Sequence, residues 1–171
     1  MTTLKAFALA LPLALPLNCA SLSARAADTI VRHDVPHFPI ASSVEVPGGY
    51  STIYVSGMGA DPINKSGGKM PTSIEAYGDT ETQARSALKK IQATLEGLHL
   101  GMADVVRMNV YVVADPKLGH MDFAGLNKAY KEFYGTASQP VLPARAAIQI
   151  AALANPGWLV EIEVTAVRKP G

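Results

Sequence analysis

PARAAIQIAAL, residues 143–153, and LVEIEVTAV, residues 159–167, decide how this 171-residue chain is read. Both runs look like strands, and Asn155-Pro156-Gly157 between them predicts a turn, so the pair reads as a hairpin. Side chains alternate across a strand. Ala146, Ile148, Ile150 and Ala152 therefore share one face, and Arg145, Ala147, Gln149 and Ala151 the other. In the second run Val160, Ile162, Val164 and Ala166 oppose Glu161, Glu163, Thr165 and Val167. Each strand offers one apolar face to lie under helices and one mixed face that carries charge beside small residues. A mixed face of this kind has two physical explanations. One is a solvated face with a cross-strand ion pair, worth under ~1 kcal/mol when exposed. The other is a face packed on a further subunit, with Arg145 and Glu161 half-buried in a pocket where Ala147 and Ala151 leave room beside the guanidinium.

Upstream of this pair the chain alternates strand and helix signals. TIVRHDVPHFPI predicts one short strand followed by a loop, because Pro36 and Pro39 break it. SVEVPGGYSTIYVSG places two β-branched and aromatic runs around Pro47-Gly48-Gly49, which predicts another hairpin. GADPINKSGGKMPT, residues 59–72, is an exposed loop by composition. A helix follows. Thr80 and Gln83 have capping-box spacing with Asp79 just outside it, and Ala84, Leu88, Ile91 and Leu95 form one apolar stripe. Gly97 is its expected stop in the left-handed conformation, with Leu98 folding back. DVVRMNVYVVAD, residues 104–115, predicts a strand ended by Pro116. Residues 121–134 predict a second helix, where Phe123, Leu126, Tyr130 and Phe133 or Tyr134 recur at helical spacing before Gly135. The order is β-ββ-α-β-α-ββ, an α+β fold with the helices together on one sheet face.

The first 26 residues have a different character. Lys5 precedes about a dozen apolar residues, and Ala24-Arg25-Ala26 supplies small residues at −3 and −1, so residues 1–26 read as a cleaved secretory signal. The expected products are a single domain over residues 27–171 and a periplasmic or secreted location, with no membrane association after cleavage. Cys19, the only cysteine, falls in the signal, so the mature chain has neither a disulfide framework nor a thiol nucleophile. Cleavage removes Lys5 and Arg25 and leaves 13 basic against 14 acidic residues, a balance of −1 with no long basic run. A nucleic-acid partner is therefore not expected.

LPARAAIQIAAL and VEIEVTAV, together with IYVSG, the QAR…AL helix ending in GL, DVVRMNVYV and FAGLNKAYKEFYG, resemble the RidA/YjgF family, also called the liver perchloric-acid-soluble protein family. The resemblance covers almost all of residues 30–168 in the expected order, with an enlarged loop around residues 59–78 as the main difference in length. It implies a chorismate-mutase-like fold, a mixed sheet with two helices on one face, assembled as a homotrimer with ligand pockets between subunits. It implies hydrolysis of small enamines and 2-imino acids to 2-keto acids and ammonia.

The family's carboxylate-binding arginine falls on Arg145, which suits the chemistry, since a planar guanidinium can hold a carboxylate by two parallel hydrogen bonds. Its water-positioning glutamate falls on Glu161 after a one-residue adjustment in the turn, where it would act as general base. No metal or cofactor is expected, because a protonated imine is already electrophilic. Ser56 matches the serine of a pocket-lining Ser-Gly pair, and Asn127 an asparagine on the second helix. Ala147 stands where many members carry a cysteine whose backbone can contribute a hydrogen bond. Ser43 stands where they carry a pocket tyrosine.

Other site signals are faint. His33 and His37 are four apart, but Pro36 between them argues against a helix that would align them on a metal. KSGGKMPT lacks phosphate-loop spacing, and Tyr54-Val55-Ser56-Gly57-Met58 has no glycine two before the serine, so it is no nucleophile elbow. Two functional classes follow. One is an imine deaminase using Arg145 and Glu161. The other is a non-catalytic trimer that binds small carboxylates or keto acids outside the cytoplasm.

Overall fold

DVVRMNVYV and VEIEVTAV form adjacent interior strands of one mixed sheet, each with an apolar face and β-branched residues that suit a pleated, half-buried surface. The structure, a computed structural model, describes residues 29–64 and 68–171, so the expected signal segment lies outside the described residues. The elements are β1 (Val31–Asp34), β2 (Ala41–Glu45), β3 (Ser51–Gly59), α1 (Thr80–Gly97), β4 (Val105–Val113), α2 (Phe123–Tyr130), β5 (Ala144–Ile150) and β6 (Val160–Arg168), with short 3-10 turns at Ile74–Ala76 and Met102–Asp104. This is the expected β-ββ-α-β-α-ββ order. The α+β class and the two helices on a mixed sheet are as the sequence predicts.

The pairing differs from the expectation. Strand order across the sheet is β1-β2-β5-β4-β6-β3. Neither expected hairpin forms: β4 lies between β5 and β6, and three strands separate β2 from β3. The physical reason is that a Pro-Gly turn reverses the chain without dictating which edge the next strand joins. β4 pairs in parallel with β5, with α2 in the connection between them, and takes β6 antiparallel on its other edge. The hairpin that does form is β1–β2, from Val31↔Glu45 to Asp34↔Ala41. It joins the rest of the sheet through one parallel bridge, Ala41↔Ala144. Arg32 strengthens that junction by donating to the carbonyls of Val105 at 3.0 Å, Leu142 at 2.7 Å and Ala103 at 2.8 Å.

The core lies between the sheet and the two helices. Ala84, Leu88, Ile91 and Leu95 of the α1 stripe are all buried, and they join Met108, Val110 and Val112 of β4 and Val160, Ile162, Val164 and Ala166 of β6 in one cluster. Ile91→Ala at the centre of this layer costs on the order of 2–5 kcal/mol. Asp79 itself is the N-cap of α1, its carboxylate accepting from Thr82 N at 2.8 Å. The Thr80–Gln83 box does not form. The Gln83 side chain instead donates to Gly78 O and Gly157 O and accepts from Leu159 N, pinning the start of the helix to the chain entering β6. At the other end His99, not Gly97, takes the left-handed conformation at φ 56°. Leu100 N then bonds to Leu95 O and His99 N to Glu96 O, so Leu100 folds back in place of Leu98. α2 is shorter than expected: regular helix ends at Tyr130, and turns continue to Gly135, which has φ 71°.

Candidate functional site

Arg145 is the second residue of β5, in register with the fully buried Met108 of β4. Its side chain therefore emerges on the helix face of the sheet, beneath α2. Three residues on one side of α2 receive it. Asn127 Oδ1 accepts from Arg145 Nη2 at 2.7 Å, while Asn127 Nδ2 donates to Phe123 O at 2.9 Å, which fixes the amide's orientation. The guanidinium carbon lies 4.1 Å from the centre of the Tyr130 ring and 6.0 Å from that of Phe123. Tyr130 in turn stacks on Tyr134, with ring centres 4.8 Å apart and planes at 17°. Arg145 Nη1 is buried and has no hydrogen-bond partner among the described residues. Burial holds the Arg145 pKa below its ordinary value and interaction with Tyr130 opposes the shift; the group remains a cation. Burial likewise pushes up both tyrosine hydroxyls.

Glu161 lies elsewhere. It pairs with Tyr111 of β4 and Gly59 of β3, and β6 buries the alternate residues Val160 and Ile162, so Glu161 stands on the open face of the sheet. β3 is irregular between Val55 and Met58, where Ser56 and Gly57 sit opposite this part of β6. The Glu161 carboxylate lies across Gly57: a Cβ there would overlap Glu161 Oε1 and come within 2.8 Å of its Cδ. Glu161 makes no hydrogen bond or ion pair with a described residue. Its neighbour Glu163 is engaged, accepting from Asn109 Nδ2 at 2.8 Å and from Tyr111 Oη at 3.1 Å. The latter bond is the main reason the Tyr111 pKa is raised.

The sequence-predicted residues thus divide into two groups. Arg145, Asn127 and Ala147 lie on the helix face, with Ala147 packed against the core. Glu161 and Ser56 lie on the open face, Ser56 lining a cleft of about 270 Å³ with Tyr54, Arg107, Asn109, Glu163 and Thr165. A second cleft of about 260 Å³ on this face is lined by Ile40, Ser42, Arg107, Asn109 and residues 144–146. Ser43 lies in β2 opposite His33. The expectation that Arg145 and Glu161 share a mixed face is corrected. Alternation assigns residues to two faces without saying which face is covered, and in β5 the covered face is the one with small Ala147 and the flat guanidinium. Ala146 and Ile148, expected beneath the helices, are on the open side, Ile148 at 50 % exposure. With Arg145 level with Met108 on β5 and Glu161 level with Tyr111 on β6, the two Cα positions are roughly 14 Å apart across the sheet, from ordinary strand spacings.

Two participants escaped the sequence reading. Tyr130 looked like one more member of an apolar stripe, although it stands three residues from Asn127 and so on the same side of the helix. Gly57 entered only as the second residue of the Ser-Gly pair. A groove of about 440 Å³ beside α1 is lined by no residue of either group. Its main cations are already engaged: Arg85 with Glu81 and Glu132, and Lys90 with Gly59 O at 2.9 Å and Asp61 at 3.3 Å.

Comparison with known proteins places these observations. The family model described as Endoribonuclease L-PSP matches residues 46–168. The 2-iminobutanoate/2-iminopropanoate deaminase of Mus musculus is 37% identical over 133 residues, which is 77% of this chain and 83% of that protein. The crystal structure of the YjgF gene product of Escherichia coli is 31% identical with a TM-score of 0.53, covering 76% of this chain and 88% of that one. The structure of Escherichia coli TdcF with bound serine is 29% identical, also with a TM-score of 0.53, covering 77% and 89%.

Proposed function

We propose that this chain, which belongs to the RidA/YjgF family, hydrolyses small 2-imino acids to 2-keto acids and ammonia at a site completed by two copies of itself. The observation that carries the reading is the Arg145 guanidinium: a half-buried cation, fixed on one side by Asn127 and Tyr130, whose buried Nη1 amino group meets no acceptor among the described residues. A buried donor left unpaired is costly, so an incoming carboxylate that accepts from it gains more than the same contact would in water. A relative named for 2-iminobutanoate and 2-iminopropanoate, and another solved with serine bound, both concern ligands in which a carboxylate sits beside a nitrogen-bearing carbon.

The chemistry then follows from Glu161. With the carboxylate held by Arg145, the protonated C=N carbon is the electrophile. Glu161 takes a proton from water as the oxygen bonds to that carbon, giving a carbinolamine. Transfer of a proton to the amino nitrogen and cleavage of the C–N bond release ammonia and leave the 2-keto acid; water supplies the oxygen. The Cα atoms of the two residues are ~14 Å apart and their side chains leave opposite sides of the sheet, so one small imino acid does not reach both within one chain. The Glu161 that serves a given Arg145 therefore belongs to a neighbouring copy. The assembly is a homotrimer with its pockets between subunits and the open sheet face, where Tyr54 is 82 % and Ile148 50 % exposed, turned toward a neighbour. Removal of residues 1–26 places it in the periplasm or outside the cell. The endoribonuclease in the family's description is not the activity proposed here, because residues 27–171 carry 13 basic against 14 acidic residues with no long basic run.

The test is hydrolysis of freshly generated 2-iminopropanoate and 2-iminobutanoate beside an Arg145→Ala control. Acceleration that vanishes in the control is expected, and a well-folded protein without acceleration refutes the enzyme. A monomer by size-exclusion chromatography with light scattering refutes the assembly. A non-catalytic trimer that captures small carboxylates is the second reading. One observation favours it: Arg145 is positioned by Asn127 and Tyr130 of its own chain, whereas Glu161 has no partner among the described residues. Keto-acid binding without turnover, unaffected by Glu161→Gln, would establish it.

A further inference from the structure

We propose that Tyr130 is the positioning residue that sets the Arg145 guanidinium for its ligand, acting through that side chain and touching no substrate itself. The inference rests on the reading of Arg145 as a carboxylate anchor and adds what holds it. Asn127 ties down one amino group at 2.7 Å. A single hydrogen bond leaves the guanidinium plane free to swing about it, and a fork that swings cannot present its remaining donors in a fixed direction. The Tyr130 ring supplies what that bond lacks. At 4.1 Å it covers one side of the guanidinium, and the Tyr134 ring stacked behind it at 4.8 Å keeps it from rotating away. Tyr134 is itself 1 % exposed, so this support is part of the core.

The ring, not the hydroxyl, does this. Tyr130 Oη is buried and has no hydrogen-bond partner among the described residues. It therefore neither holds Arg145 nor is held in a network. What remains is the face of an aromatic ring against a partly desolvated cation, the circumstance in which a cation–π contact is strongest. A residue needed for volume alone could be replaced by any apolar side chain of similar size. A residue needed for its ring must stay aromatic and electron-rich.

The experiment varies ring electronics at constant shape. Tyr130→Phe and a series with increasingly fluorinated phenylalanine at position 130 are measured for 2-oxobutanoate affinity by calorimetry, for KM and kcat with freshly generated 2-iminobutanoate, and for Tm. Tyr130→Phe should keep affinity and KM within about twofold. Progressive fluorination should raise both Kd and KM stepwise, by roughly 3- to 30-fold in all, with kcat and Tm unchanged. Tyr130→Leu, where it folds, should be at least as weak. Kd and KM that stay flat along the series overturn the positioning role, while loss of activity in Arg145→Ala would leave the functional reading standing. A wild-type protein that neither binds the keto acid nor hydrolyses the imine overturns both.

Discussion

Arg145 and Glu161 stand on the two sides of one sheet and are supported in opposite ways. Arg145 is gripped by its own chain: an amide from α2, a ring on one face, a second ring behind that, and partial burial. Glu161 has no partner among the described residues and rests over a glycine that leaves its carboxylate room. The difference follows from where each charge lies. A buried cation without hydrogen bonds or a ring to lie against would destabilise the fold that carries it, so its support has to be local. A carboxylate on an open sheet face is solvated whenever nothing covers that face, and needs no such support. The binding half of the proposed site is thus built into the monomer, and the proton-accepting half takes its final surroundings from whatever packs on the open face.

If that division holds, the largest effect belongs to the half that does chemistry without binding. Glu161→Gln should lower kcat by about 10²–10⁴-fold, with 2-oxobutanoate affinity unchanged. A parallel loss of affinity would break the division, since it would place Glu161 in ligand binding too. Gly57→Ala sharpens the same point without touching a functional group. The added methyl meets the end of the Glu161 side chain, which can swing aside, so Tm should hardly move. The carboxylate would nevertheless be displaced by an ångström or more, and kcat should fall roughly 10²-fold. An unchanged kcat would mean that the position of Glu161 over Gly57 is not the working one. Asn127→Ala probes the other half and should reverse the pattern. Loss of the acceptor for Arg145 Nη2 should raise KM about tenfold and cost about 1–3 kcal/mol of stability, read from urea unfolding, with kcat near normal.

What the sequence made legible, and what it hid, runs along the same division. Element order was readable because helix and strand periodicities are local: the stripe Ala84, Leu88, Ile91 and Leu95 is buried as written, and so are Val160, Ile162 and Val164. Strand pairing was not readable. β5 and β6 are neighbours in sequence but flank β4 in space, and no residue in either strand states that. The face of Arg145 was lost for a related reason. In β5 the more hydrophobic alternate residues, Ile148 and Ile150, point away from the helices, and only the approach of α2 decides which set is covered. Resemblance to a known family placed Arg145, Asn127, Ser56 and Glu161 as candidates. That Asn127 holds Arg145 and has its amide committed elsewhere, so that it acts through the arginine, is a contact between elements and invisible in either one. Tyr130 was hidden by its own hydrophobicity, since a ring that stacks on a cation and a ring that fills a core have the same spacing.

The smallest expected effect is a control that touches neither half. Asp79 caps α1, and its pKa is held below the ordinary carboxylate value chiefly by its hydrogen bonds with Thr82. A depressed folded-state pKa means that the stabilisation is fully present above the unfolded value, 3.8, and is lost as pH falls through the folded one. Asp79→Ala should therefore cost about 1 kcal/mol at pH 7. The gap from wild type in urea unfolding should close as pH is lowered from about 4 toward 2. Glu81 and Glu132, whose pKa values are also depressed, Glu81 by bonds to Lys128 and Arg85 and Glu132 by bonds to Arg85, titrate in both proteins and cancel from the difference. At pH 7 the variant should show unchanged 2-oxobutanoate affinity, KM and kcat, because the residues that hold Arg145 come from α2 and the sheet separates α1 from Glu161. A change in KM alone would show that the α1 terminus is coupled to the Arg145 cradle through the helix pair, and a change in kcat alone that it reaches the open face through Gln83 and the start of β6. Either would dissolve the separation between a half-site held by its own chain and one left to its neighbours.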